Sequence, residues 1–162
     1  MKFSEIRESE WTSLQPFLDT CLLPVTGLRG DEQPWEASRA LEQLRDVLEL
    51  VEIPYKGRTV TYPALHYQGD HPSYAEYINR ICNKLRSSGF TYIVMVSSIA
   101  LENENAYEAD LIVHPLLFDS FKDMTHKAVI NEQIQELWRV QRVDPDTIKA
   151  SGTHVSGNVT NS

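Results

Sequence analysis

Two short stretches of this chain combine residue types that can hold or move charge. The first is Thr26–Gly30, TGLRG. Thr26 carries a hydroxyl, Arg29 a fixed positive charge, and Gly27 and Gly30 allow turns that bring backbone N–H groups together. A glycine-containing loop that enters a helix can present its amides to a phosphate or carboxylate. Arg29 can add a two-pronged contact to the same anion. The phosphate fingerprints GxGxxG and GxxxxGK[ST] are both absent, so a plain connecting turn is the default reading. The second stretch is His66–His71, HYQGDH. His66, Asp70 and His71 are donor types suited to a metal or to acid–base work. Their spacing matches no metal motif. Packing of His66 and Tyr67 on a sheet edge, with His71 as a helix-entry residue, is the simpler account.

Ser97 and Ser98 add two hydroxyls at the end of an apolar run. They lack the GxSxG surroundings of a hydrolase nucleophile, and bonding to backbone at a strand end accounts for both. His114 joins them only if its own strand runs parallel to that apolar run. The acidic residues Glu102, Glu104, Glu108 and Asp110 could hold a cation, but a solvated loop is the simpler reading. Cys21 and Cys82 each stand alone in an apolar pattern and read as buried, reduced thiols. No metal site is expected, no cofactor is indicated, and no catalytic residue can be assigned.

The elements that must position these groups alternate between helix and strand. Leu85–Ser98, LRSSGFTYIVMVSS, is the centre of the pattern. Gly89 closes a helix. The apolar, β-branched and aromatic run that follows is the mark of a strand covered on both faces. Upstream, Ser4–Leu18 reads as a first helix, bent or ended at Pro16. Thr20–Val25 reads as a first strand, with Pro24 placing it at an edge or marking its end. Pro34 opens the clearest helix. Its apolar stripe is Ala37, Ala40, Leu41, Leu44, Val47, Leu48 and Val51. Tyr55–Arg58 is a turn with Gly57 supplying positive φ, Arg58–Tyr62 a short strand, and Ala64–Pro72 a polar loop. Ser73 and Glu76 form a capping-box signature before the next helix. Ala109–His114 is a further strand and His126–Arg142 a last helix.

This order predicts an α/β fold: a Rossmann-like layered arrangement with a mostly parallel sheet of about 4–5 strands between helices. The connection from Ser98 to Ala109 is short for a parallel crossover, which leaves an antiparallel edge hairpin open. In such sheets ligands bind beyond the carboxyl ends of the strands. The candidate binding residues are therefore Thr26, Gly27, Arg29, Gly30, His66, Asp70, Ser97 and Ser98. One domain is expected over residues 1–143; the pattern fades from Asp144, and 144–162, ending in the Ser/Gly/Asn/Thr-rich Ser151–Ser162, reads as a flexible, disordered tail.

The bulk composition narrows the partners. Asp and Glu outnumber Lys and Arg by 23 to 15, for a net charge of −8. That disfavours nucleic acid and anionic membrane surfaces, which select clustered basic residues. The N-terminal MKFSEIRESEW lacks the apolar centre of a signal peptide, so a cytoplasmic location is expected. A small molecule or a protein remains as partner. The block Asp19–Gly30, DTCLLPVTGLRG, and the block Tyr55–Tyr67, YKGRTVTYPALHY, resemble the YpiF family, uncharacterised proteins of Bacillus-type bacteria. The resemblance implies a cytoplasmic bacterial protein and brings no activity, cofactor or site residue with it. Two functions stay open: a domain that binds a small anion or nucleotide, as an enzyme or as a binding protein, and a non-catalytic interaction or regulatory protein on a Rossmann-like scaffold.

Overall fold

The computed structural model describes residues 1–68, 73–101, 103–114 and 124–140. Asp70, His71, Glu102 and the stretch 144–162 lie outside the described residues. Among the described residues five strands, β1 Thr20–Leu28, β2 Thr59–Thr61, β3 Leu65–Tyr67, β4 Tyr92–Ser97 and β5 Leu111–Val113, form one sheet. Four helices flank it: α1 Glu8–Leu14, α2 Pro34–Glu52, α3 Tyr74–Ser87 and α4 Met124–Val140. The strand order is β2-β1-β4-β5, β3 also pairs with β1, and every pairing is parallel. The Rossmann-like layered fold expected from the sequence is the fold observed. The antiparallel hairpin is not: β5 runs parallel to β4, with Val94, Met95 and Val96 level with Leu111, Ile112 and Val113.

The short connection from β4 to β5 contains one 3-10 turn, Glu104–Ala106, in place of a crossover helix. Side chains of α3 hold it instead. Asn79 donates to the Ala106 carbonyl at 2.8 Å and accepts from the Glu108 amide at 2.8 Å. Arg86 donates to the Glu108 carbonyl at 2.8 Å. Leu101, Tyr107 and Ala109 then pack on the α3 side of the core. These tethers substitute for the helix that a parallel crossover ordinarily uses.

β1 corrects a second expectation. It is the central strand and continues through Pro24 to Leu28. In a parallel ladder, alternate residues turn their backbone groups to opposite neighbours. The Leu22 carbonyl accepts from Tyr62 on the β2 side, and the Val25 carbonyl accepts from Ser98 beyond β4. Pro24 has the parity of Leu22, so its missing N–H faces the segment Tyr62–Ala64. The neighbouring edge is interrupted there, ending as β2 and resuming as β3. A proline is therefore tolerated in the middle of the sheet because no ladder carbonyl is left waiting for it. β3 itself falls inside the stretch read as a polar loop. Gly57 is not among the positive-φ glycines of the described residues, which are Gly27, Gly30 and Gly89.

Side-chain alternation divides the core between two layers. Leu22, Val94 and Val96 face α2 and α4, together with Val47, Val51, Ile130 and Ile134. Cys21, Leu23, Ile93 and Met95 face α3, with Ile78, Cys82 and Leu85. Every residue of β4 is buried, as the uninterrupted apolar run requires. Each such side chain contributes about 1.5–3 kcal/mol of burial.

Candidate functional site

The chain leaves β1 through α2 toward the β2 edge and returns through α3 to β4 on the other side of β1. Between β1 and β4 the sheet therefore has its switch point, where crevices open in doubly wound folds. Four of the residues singled out by the sequence meet there. The Thr26 hydroxyl and His66 Nδ1 share a hydrogen bond of 2.8 Å. Ser98 Oγ donates to the Thr26 carbonyl at 2.5 Å, and Ser97 Oγ donates to the Ile99 carbonyl at 2.7 Å. Thr26, Ser97 and Ser98 are fully buried, whereas His66 is exposed. The three hydroxyls thus lie beneath the edge and bond within the fold.

Gly27 explains how β1 turns here. Its φ is +74°, a conformation costly for any residue with a Cβ. The register between β1 and β3 shifts between Val25 and Leu28. That is a β-bulge, and bulges re-aim side chains at strand ends. A Cβ at Gly27 would stand 2.5 Å from Ile99 Cδ1.

Arg29 and Gly30 lie just beyond, separate from the buried cluster. Their amides do converge on an anion, and the anion is the chain's own. The Arg29 N–H donates to Glu32 Oε1 at 2.6 Å and the Gly30 N–H to Glu32 Oε2 at 2.8 Å. Those two bonds, Arg29 first, hold the Glu32 carboxyl below the usual glutamate range. The Arg29 guanidinium pairs with Asp31 at 2.7 Å. A second residue set at this edge escaped assignment from sequence. His114 directly follows β5, is buried, and its Nε2 lies 2.6 Å from Glu104 Oε1. Parallel pairing of β5 was the missing condition. Trp35 is another omission, 62% exposed at the start of α2, and Tyr67, expected to pack on a sheet edge, is 68% exposed at the end of β3. Trp35 lies off the apolar stripe of α2, and that was the available signal.

The amino ends of the strands carry a contrasting cluster. Arg58 donates twice to Asp19, at 2.9 and 2.7 Å. Its guanidinium stacks 4.0 Å from the centroid of the Trp138 ring. Trp138 Nε1 donates to Thr20 at 3.0 Å, Tyr55 meets Trp138 edge-on at 4.9 Å, and the Tyr55 hydroxyl bonds Asn131. These contacts fasten α4 to the sheet.

A family model matches residues 9–142, which covers both ends of the sheet and nearly all the described chain. The chain belongs to the DUF2487 family, described as proteins of unknown function. No curated protein and no solved structure matches it. Among the described residues of this DUF2487 protein, no group of three or more His, Cys, Asp or Glu is placed to hold a metal ion. No helix among them is long and apolar enough to cross a membrane.

Proposed function

We propose that this DUF2487 protein is a non-catalytic interaction protein that engages its partner through the carboxyl end of the sheet. One observation carries the reading. The hydroxyls of Thr26, Ser97 and Ser98 are buried and bonded internally, while the aromatic rings of Trp35 and Tyr67 at the same edge face solvent. Exposed aromatic rings are the residue type that anchors protein interfaces. A nucleophile needs the opposite arrangement, with its oxygen open to substrate.

A second reading has its own observation. The Arg29–Gly30 loop already holds a carboxylate, that of Glu32, so its geometry suits a carboxylate or phosphate ligand. On this reading Arg29 and Gly30 hold the anion at the carboxyl end of the sheet, where Thr26, Gly27, His66, Ser97 and Ser98 also lie; Asp70, expected there from sequence, lies outside the described residues. Glu32 argues against it, because a tethered competitor acts at an effective concentration of roughly millimolar or more. The net charge of −8 also repels anions at long range. That acidity supports neither nucleic acid nor an anionic membrane as partner. The blocks at Asp19–Gly30 and Tyr55–Tyr67 support placing the chain with the cytoplasmic YpiF proteins of Bacillus-type bacteria.

Thermal melting in the presence of phosphate, nucleotides, sugar phosphates and small carboxylates separates the two readings. A ligand at a hundred times its dissociation constant adds ~2.7 kcal/mol to the folded state. The interaction reading expects no shift in the wild type or in Glu32→Gln. A stabilising anion whose effect grows in Glu32→Gln and vanishes in Arg29→Ala establishes the anion reading in its place.

A further inference from the structure

The β2 and β5 edges of the sheet are finished differently. At β2 the chain closes its own edge: the Thr61 N–H donates to the Met1 carbonyl at 2.8 Å, and Lys2 forms a parallel bridge with Thr61. β5 ends the strand order on the other side. Tyr92 and Ser98 donate to the carbonyls of Asp19 and Val25, so Met95, by alternation, turns its backbone toward β5. Met95 is level with Ile112, and in a parallel ladder it bonds the residues on either side, Leu111 and Val113. Ile112 therefore turns its N–H and C=O outward, and neither has a hydrogen-bond partner among the described residues. Natural edges are ordinarily guarded by a charge, a proline or a bulge. Leu111–Val113 contains none of these. The carboxylate that precedes it, Asp110, is turned inward onto the Ile93 N–H at 2.7 Å and onto Arg86 at 2.9 Å.

α4 extends the same surface. Ile130, Ile134 and Trp138 face the core, and Lys127 and Asn131 face α2. The flank away from α2, on the β5 side, carries Val129, Gln133, Glu136 and Val140 in one rank at helical spacing. Val129 and Val140 are 37% and 60% exposed.

We propose that β5 and this flank of α4 form the interface between two copies of the chain. An open strand edge is completed by another strand, and the rank on α4 is complementary to itself. Set antiparallel about a two-fold axis, Val129 meets Val140 of the second copy, and the Gln133 amide donates to its Glu136 carboxylate. The same axis, perpendicular to the sheet, pairs β5 antiparallel with its copy about Ile112, which exchanges N–H···O=C bonds in both directions. The rank is neutral, because Glu136 is paired with Arg139. The net charge of −8 on each copy is screened beyond about 8 Å at physiological salt.

Sedimentation velocity of the full chain is the first measurement. The expected result is a monomer–dimer equilibrium as concentration rises through the micromolar range, with no larger species. Hydrogen exchange locates the contact: the Ile112 amide should exchange more slowly in the dimer. Val140→Lys, at an exposed site, should weaken association about tenfold or more and leave the melting point of the dilute protein unchanged. Cysteine crosslinking with copper phenanthroline reads the register, since native Cys21 and Cys82 are buried. A mixture of Val129→Cys and Val140→Cys chains should form a disulfide-linked dimer, and either variant alone should not. A chain that stays monomeric throughout overturns the proposal. So does a dimer that tolerates Val140→Lys, leaves Ile112 exchange unchanged, or crosslinks equally from the single variants.

Discussion

Of the arginine–aspartate pairs among the described residues, two have the same length and lie at opposite ends of the sheet. Arg58 and Asp19 meet at 2.7 Å between the entries to β1 and β2, each side chain 28% exposed. Arg29 and Asp31 meet at 2.7 Å two residues apart in one loop, at 56% and 67% exposure. The first pair ties together segments 39 residues apart and lies under the Trp138 ring. The second folds a loop on itself in water. Identical chemistry is therefore structural at the amino ends and nearly free of energetic consequence at the carboxyl ends. A surface that contributes little to the fold is available for function, and that separates the two ends more clearly than residue type does.

The largest expected effect breaks the structural pair. Arg58→Ala strips Asp19 of its cationic partner, leaving the Thr20 hydroxyl, and Trp138 of its cation, and should cost ~2–3 kcal/mol in chemical denaturation. Arg29→Ala should cost less than about 0.5 kcal/mol in the same assay. Equal costs would erase the distinction between the ends. Next comes the bulge that shapes the carboxyl edge. Gly27→Ala places a Cβ at φ +74° and against Ile99. It should cost roughly 1–2 kcal/mol for the left-handed conformation alone, and Ile99 must shift as well. A neutral result in denaturant would mean that the bulge is not required.

A smaller effect sharpens the comparison from the layer between the ends. Burial raises both thiols, that of Cys82 to about 11 from 9.0. The folded state therefore favours the protonated thiol. The resulting stabilisation is complete below pH 9 and is lost as pH rises toward about 11. The stability gap between wild type and Cys82→Ala should narrow over that window. Native protein should also leave Ellman's reagent unreacted at mildly alkaline pH, with both cysteines reacting after unfolding. Rapid reaction in the native state would show that the α3 layer opens.

Much of the architecture was legible because burial writes directly into composition. The run through Tyr92–Val96 could only be a strand covered on both faces, and Pro34 and Gly89 bracket helices by their backbone limits. Strand direction was not legible. The tethers that hold the β4–β5 crossover are Asn79 and Arg86 of α3, polar residues with no periodic signature. Pro24 misled for a related reason: its penalty depends on what lies opposite, and β3 was too short to register. At the carboxyl edge, sequence singled out Thr26, His66, Ser97 and Ser98, and the structure sets them on adjacent strands. The backbone bonding expected of Ser97 and Ser98 is present, but sequence could not show that the Thr26 hydroxyl is buried against His66, or that Glu32 occupies the amides of Arg29 and Gly30. Those are facts of side-chain direction, which residue type does not carry.

The account rests on the carboxyl end being the working face, and site-specific photocrosslinking tests that most directly. A photoreactive phenylalanine is placed singly at Trp35 and Tyr67, and at Phe17 and Ile53, which are similarly exposed but lie toward the amino ends of the strands. In cells that express the protein, positions 35 and 67 should yield the same discrete adduct, and positions 17 and 53 should not. An adduct formed equally from all four positions, or only from 17 and 53, would contradict the account.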